Sequence, residues 1–210
     1  MPTRRLVTGH SAEGKAVVAS DAVIEPLTIS FLPGSEWLAL WSAQSPPGLP
    51  DNGAVPPLST YFPPPGGFSF GVVTFPPDSA PRPVPSDRKA AWLEMERVLP
   101  GFAAHMERSN PGMHTSDSID FGYVISGEIW LELDDGKQTL LRAGDTFVQN
   151  GTRHAWRKQG QRRLQGAFHD DRGAPPTHRH RSREVGNLET VRVILCHDAH
   201  ETSTHLLRQQ

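Results

Sequence analysis

Residues 112–156, GMHTSDSIDFGYVISGEIWLELDDGKQTLLRAGDTFVQNGTRHAW, decide the fold. Four short strand-like runs follow one another here: 121–126 (FGYVIS), 129–134 (IWLELD), 138–142 (QTLLR) and 146–149 (TFVQ). Ser126-Gly127-Glu128, Asp134-Asp135-Gly136 and Ala143-Gly144-Asp145 separate them. Asp-Gly between alternating apolar runs is a strong hairpin signal, because glycine adopts positive φ without steric penalty. Closely spaced strands with tight turns predict an antiparallel sandwich or barrel that closes its own edges.

Three residues of this stretch stand out for their chemistry. His114 and Asp120 precede and open the first strand, and His154 follows the last. In a barrel meander those positions converge on one mouth. Two neutral imidazoles and a carboxylate suit Fe(II), Mn(II), Ni(II) or Zn(II), with open positions left for water, substrate or dioxygen. The alternative is a metal-free mouth in which the same groups bind a ligand or only hydrogen-bond.

The stretch resembles the paired motifs of the cupin superfamily. With Gly127 as the closing glycine of the first motif, Asp120 takes its acidic position and His114 its first histidine. Gly144, Asp145, Gly151 and His154 match the second motif, one residue shorter than usual. Ser116 stands where the family has a second histidine, and Asp120 where it has glutamate, so the implied ligand set shrinks to His114, Asp120 and His154. The sequence around these motifs is similar to small single-domain cupin oxidoreductases of fungal polyketide clusters and their bacterial relatives. The resemblance implies an all-β, cupin-type jelly-roll barrel with an N-terminal strand extension and one short helix. It also implies a metal-dependent oxidoreductase, Fe(II) foremost, acting on a small aromatic or polyketide-derived metabolite. Asp120 and His154 are then the candidate catalytic residues. Trp130, Trp156, Ser116 and Gln149 are candidates for holding the substrate. A non-redox dehydratase, isomerase or cyclase of the same barrel stays open, with Asp120 or a histidine as general acid or base. So does a small-ligand-binding barrel without turnover.

The rest of the chain is read outward from this core. Strands are expected at 5–8, 15–19, 36–41 (EWLALW) and Phe68–Phe75 (FSFGVVTF), and a final one at 190–197 (TVRVILCH). Arg88–Val98 has helix formers with apolar residues at Trp92, Met95 and Leu99, and Pro100-Gly101 ends it. The Pro- and Gly-dense segment 42–87 excludes regular structure throughout. Trp37, Trp41 and Trp92 are expected to pack between strands, helix and barrel. The chain divides into 1–100 packing on the barrel, a core of 101–158 with 189–200, and a polar insertion loop at 159–188 expected to be disordered.

His178, Arg179, His180 and Glu184 spell a second metal-like motif, but in a polar, Arg-rich setting with no strand and no Gly-Asp…His segment after it. His10, His105, His197, His200 and His205 lack a partner pattern and default to surface or structural roles.

The 210 residues suffice for one well-buried core. A net charge of −2 argues against a nucleic-acid partner. No glycine pattern for a dinucleotide follows a strand. The single cysteine, Cys196, excludes an internal disulfide and fits a reducing compartment. Neither a secretory signal nor a membrane span is visible, so a cytoplasmic protein with a small-molecule substrate is expected, with a homodimer as its compatible assembly.

Overall fold

The computed structural model describes residues 2–77, 80–81, 83–158 and 191–198. Expectations about the 159–188 loop, and about the His178, His180 and Glu184 motif within it, lie outside the described residues. Among the described residues, ten strands and one α-helix run in the order β1 (Thr3–His10), β2 (Ala16–Ile24), β3 (Glu36–Ala43), β4 (Phe68–Phe75), α1 (Arg88–Val98), β5 (Ile119–Ser126), β6 (Glu128–Glu132), β7 (Gln138–Arg142), β8 (Thr146–Asn150), β9 (Ala155–Arg157) and β10 (Val191–Asp198).

The core is two antiparallel sheets. One has five strands in the order β3-β4-β10-β5-β8, and the other three in the order β7-β6-β9. Among the described residues no continuous ladder joins the two, so the barrel is open rather than closed. Its long crossovers are nonetheless of jelly-roll kind: β10, the last strand among the described residues, lies between β4 and β5.

The β6–β7 turn shows how the sequence sets this geometry. Asp135 at φ 59 and Gly136 at φ 67 both adopt the left-handed conformation. That is the hairpin chemistry for which Asp and Gly are suited. The alternation of β5 then puts Asp120, Gly122 and Val124 on the buried face, with Phe121, Tyr123 and Ile125 exposed.

Register turns that alternation into rows across the larger sheet. Trp37, Val73, Val193 and Val124 pair in an apolar row. The next row pairs Leu195 with Gly71 and Gly122, and Gly122 with Phe147. A methyl at Gly122 would lie 2.0 Å from Phe147 Cζ, so glycine is what lets this ring cross β5. The third row is polar: Ser42, Ser69, His197, Asp120 and Gln149 pair in sequence across all five strands. Apolar residues thus hold the centre of the sheet, and polar ones collect at one end.

The central core gathers Ile29, Trp37, Val73, Met95, Val98, Leu99, Val124, Ile129, Phe147 and Val193. Each large side chain buried there contributes about 1.5–3 kcal/mol of transfer free energy. Helix α1 starts where Asp87 accepts a hydrogen bond from Ala90 N at 2.9 Å, an N-cap. It buries Ala91, Met95 and Val98. Trp92 was expected to pack inside, but it is 48% exposed. The helix turns its 91/95/98 stripe inward, and Trp92, one position off that stripe, falls at the edge.

The N-terminal extension also differs in part from expectation. Strands β3 and β4 extend the larger sheet, whereas β1 and β2 are longer than read from sequence and pair only with each other. Arg5 fastens this ribbon: its Nη1 donates to Leu40 O at 2.9 Å, and its guanidinium lies 5.6 Å from the Trp41 ring centroid. Contact between β1 and the 51–53 turn adds to it, through His10 N to Asp51 O at 2.8 Å.

Candidate functional site

His114 and His154 lie just outside the named strands and meet as an isolated antiparallel bridge. Each donates its main-chain N–H to the other's carbonyl at 2.9 Å. Their rings sit 4.1 Å apart between centroids, tilted by 50°. The two histidines of the paired motifs are therefore brought together.

Each ring is oriented from behind in the same way. His114 Nδ1 lies 3.1 Å from Gly112 O, and His154 Nδ1 lies 2.9 Å from Thr152 O. A carbonyl only accepts, so in both hydrogen bonds Nδ1 carries the proton and donates. In a neutral ring so oriented, Nε2 is the acceptor nitrogen. Fixing a histidine through a main-chain carbonyl is the usual way its tautomer is set for metal binding.

Aromatic packing adds a second restraint. Phe62 lies 6.0 Å from His114, and Trp156 meets His154 edge-on at 5.8 Å and 81°. Trp156 in turn packs on Phe147 at 4.7 Å. His105, with Nδ1 3.1 Å from Gly101 O, lies 4.5 Å from the other neighbour, Phe62, in a structural role.

Two arginines flanking His154 tie the segment before His114 into place. Arg153 donates from Nε to Glu107 Oε1 at 2.5 Å and from Nη2 to Glu107 Oε2 at 2.7 Å, and from Nη1 to Asp134 at 2.8 Å. Arg157 donates to Glu132 Oε2 at 2.8 Å, to Pro111 O at 2.6 Å and to Asn110 Oδ1 at 3.2 Å. The Arg153 fork holds the Glu107 carboxyl below its ordinary range, and Arg157, then Gln138, do the same for Glu132. Sequence reasoning missed these clamps. Their only trace was the position of both arginines within three residues of His154, since the glutamates lie far off in the chain.

The remaining predicted residues separate into two groups. Asp120, at 2% exposure, lines the same cavity as His114 and His154, and its Oδ1 accepts from Ser118 Oγ at 2.8 Å. No three His, Cys, Asp or Glu groups among the described residues come together closely enough to hold an ion. The expected triad is thus a close pair with a carboxylate across the same space. Trp156 lines the cavity. Trp130 does not line it: it sits on the opposite strand face from the fully buried Ile129. Ser116 and Gln149 are buried and also stand outside the lining. The Ser116 hydroxyl is engaged with Ser118 at 3.0 Å. Gln149 Nε2 donates to Thr152 O at 2.7 Å and to the Thr152 hydroxyl, bracing the turn that carries His154.

The cavity measures about 850 Å³ and is walled by Phe31, Leu32, Tyr61, Phe62, Phe102 and Trp156, among others. That volume takes a drug-sized molecule, and the wall is largely apolar with a few converging polar groups, as ligand sites are. None of Phe31, Tyr61, Phe62 and Phe102 is in the 112–156 stretch. They come from Pro-rich or irregular segments where no periodicity marks an inward face.

The donor set fits two positions of a borderline divalent ion: neutral imidazole nitrogens, oriented from behind, with a carboxylate in the same cavity. Two antiparallel sheets with one histidine from each motif at a shared mouth define the cupin class. No protein-family model matches the chain. Among curated proteins, it is 31% identical over 157 residues to phomopsin biosynthesis cluster protein C′ of Diaporthe leptostromiformis, covering 74% of this chain and 70% of that protein. It is 46% identical over 44 residues to the cupin-domain-containing oxidoreductase virC of Hypocrea virens, covering 21% of this chain and 23% of that one. Among solved structures, the cupin domain of Schizosaccharomyces pombe Cnp3 overlaps with a TM-score of 0.41 at 10% identity, over 93% of this chain and 87% of that one. The chain belongs to the family of phomopsin biosynthesis cluster protein C′. No helix among the described residues is long and apolar enough to cross a membrane.

Proposed function

We propose that this cupin is a metal-dependent oxidoreductase acting on a small, largely apolar aromatic metabolite of polyketide type. The observation that carries the reading is the approach of the His114 and His154 rings to 4.1 Å between centroids, each ring oriented by a main-chain carbonyl, at an aromatic-walled cavity. The relatives named as cupin-domain oxidoreductases support the redox class. His114 and His154 would hold the ion, with Asp120, a buried carboxylate lining the same cavity, as the candidate to join them. A bound divalent ion, Fe(II) foremost, supplies Lewis acidity or a redox centre for the substrate's oxygen atoms. The chain's own part is to exclude water with the Phe31, Phe62, Phe102 and Trp156 wall, to stack a flat substrate, and to accept a proton at the Asp120 carboxylate.

Asp120 supports a second reading. It is buried, accepts a hydrogen bond from Ser118 and lines the cavity, a placement that suits a general base in a non-redox isomerase, dehydratase or cyclase. One experiment separates the two. The chain is loaded with Fe(II) and given 2-naphthol and 1,8-dihydroxynaphthalene as aromatic probes, with dioxygen uptake and product mass followed together. The oxidoreductase reading expects uptake that needs both the probe and His154. Turnover without uptake, to a product of unchanged mass or one lighter by water, would transfer the assignment to Asp120 and acid–base chemistry.

A further inference from the structure

The cavity deepens from solvent-exposed residues to the buried Asp120 and His154, at 2% and 1% exposure. Three cations stand on its lining away from that floor: Arg88 at the start of α1, Arg108, and Lys158 just after β9. Arg88 and Arg108 are exposed and Lys158 is half-buried. None of the three has an ion pair or a side-chain hydrogen bond among the described residues. The other Asp, Glu and Arg side chains of the lining do have partners. Glu107 is gripped by Arg153, and Arg157 by Glu132. Asp120 accepts from Ser118 Oγ, and Glu96 Oε2 accepts from Gly101 N at 3.2 Å. Asp87, next to Arg88, accepts from Ala90 N and is not part of the lining. Beyond the floor, three unpaired cations thus share the lining with Glu96, a single carboxylate without an ion pair among the described residues. Trp92 lies one turn along α1 from Arg88 and lines the same cavity, although it is 48% exposed. Residues four apart share a helix face, so α1 offers an aromatic surface and a cation side by side.

We propose that the mouth of this cavity is an anion subsite, where Arg88, Arg108 and Lys158 receive the carboxylate of an aromatic acid whose ring lies against Trp92 and the aromatic wall. This rests on the reading of the cavity as an aromatic site, and it does not depend on the metal. Like charges without counter-ions at the mouth of a low-dielectric cleft focus a positive potential there and draw in an anion. The flat guanidinium fork matches a carboxylate in shape as well as in charge. The depth of the cavity sets the orientation: an acid group held at the mouth leaves the far end of the ligand to reach His114 and His154. The substrate class narrows to aromatic acids, since a neutral aromatic would leave the three cations without a counter-ion.

The test uses the full chain with a chelator present, titrated by calorimetry with 2-naphthoate and 2-naphthamide, an anion and a neutral molecule of near-equal shape. The parent is expected to bind 2-naphthoate about tenfold more tightly than 2-naphthamide at low salt. That preference should shrink in about 0.5 M NaCl, where charges are screened beyond a few ångströms. Each of Arg88→Gln, Arg108→Gln and Lys158→Gln should weaken 2-naphthoate about two- to fivefold, the size of one exposed ion pair. The triple variant should lose the preference, while 2-naphthamide binds every variant as it binds the parent. Equal affinity of the parent for the two probes would overturn the anion subsite and leave the aromatic cavity standing. A preference for 2-naphthoate that survives in the triple variant would overturn the assignment to these three residues. An equal fall for both probes would overturn it too, since shape rather than charge would then be at work. Failure of the parent to bind either probe would overturn the cavity reading, and the subsite with it.

Discussion

His114 and His154 exchange both of their main-chain hydrogen bonds at 2.9 Å, and their rings lie 4.1 Å apart. This bridge lies outside the strand ladders, and a second isolated bridge joins His114 to Met106. Two isolated pairs have little ladder support of their own, so their geometry depends on what is fastened around them. The Arg153–Glu107 and Arg157–Glu132 pairs supply that fastening, and they explain why charged residues far apart in sequence bear on the histidines.

Arg153→Gln should therefore act on the site more than on the fold. Both partners are about one-third exposed, with side chains at 34% and 32%, and pairs of that kind contribute little to stability once solvent screening is counted. Urea denaturation should show little change, while divalent-metal affinity falls about tenfold, as is usual for groups that orient ligands. Arg153→Lys should not restore it, because an ammonium cannot reproduce the two-pronged contact with Glu107. An unchanged metal affinity in Arg153→Gln would show that the clamp does not position His114.

The same pairs set a pH dependence. Glu107 and Glu132 have folded-state pKa values held below the ordinary glutamate value of 4.5. Below that value the unfolded chain binds more protons than the folded one, so stability falls as pH drops. The contribution is present in full above the unfolded value and is lost as pH falls through the depressed folded values. Urea midpoints measured from pH 7 to pH 3 should decline at the acid end. The decline should be shallower in a protein carrying Arg153→Gln and Arg157→Gln, where the glutamates titrate nearer their ordinary value.

Much of this was legible in residues 112–156, because turn chemistry there is strict. Asp135-Gly136 and Gly144 punctuate strands whose alternation survives in the structure, and the two motif histidines meet in a bridge beyond the paired ends of β5 and β8. Other features were not legible, for physical reasons. Trp92 has helical spacing to Met95 and Leu99, yet the buried stripe is Ala91, Met95 and Val98. Periodicity gives the repeat of a face more reliably than its phase. Strand β1 alternates in burial, but alternation does not say which strand is the partner, and β1 and β2 formed their own ribbon. Ser116 and Gln149 carry polar groups suited to a ligand, and the structure engages both with neighbours of the chain. Tyr61, Phe62 and Phe102 became cavity walls through tertiary contacts between irregular segments, where no local pattern exists to read.

Gly122→Ala tests the packing of β5. A methyl there would come within 2.0 Å of Phe147 Cζ and 2.1 Å of Cε1, so the ring must move. Overpacking of this kind costs about 1–3 kcal/mol, to be read from urea denaturation. Phe147→Leu placed in the same chain should recover part of it. Since Phe147 packs on Trp156, the single variant should also perturb tryptophan fluorescence.

Asp87→Ala serves as a counterweight. It removes the N-cap of α1, whose side chain accepts from Ala90 N. The loss should be about 1 kcal/mol, visible as a lower melting temperature, with metal affinity unchanged. A fall in metal affinity would mean that α1 bears on the histidine pair more directly than the geometry indicates.

The central claim is that His114 and His154 together hold one ion. Titration of the purified, metal-stripped chain with Co(II), followed through its visible ligand-field bands, tests it most directly. The account predicts one ion bound per chain, with imidazole-type bands that are abolished by either His114→Ala or His154→Ala and retained when His178 and His180 are both replaced by alanine. Wild-type binding in both single variants, or its loss only in the His178/His180 variant, would contradict it.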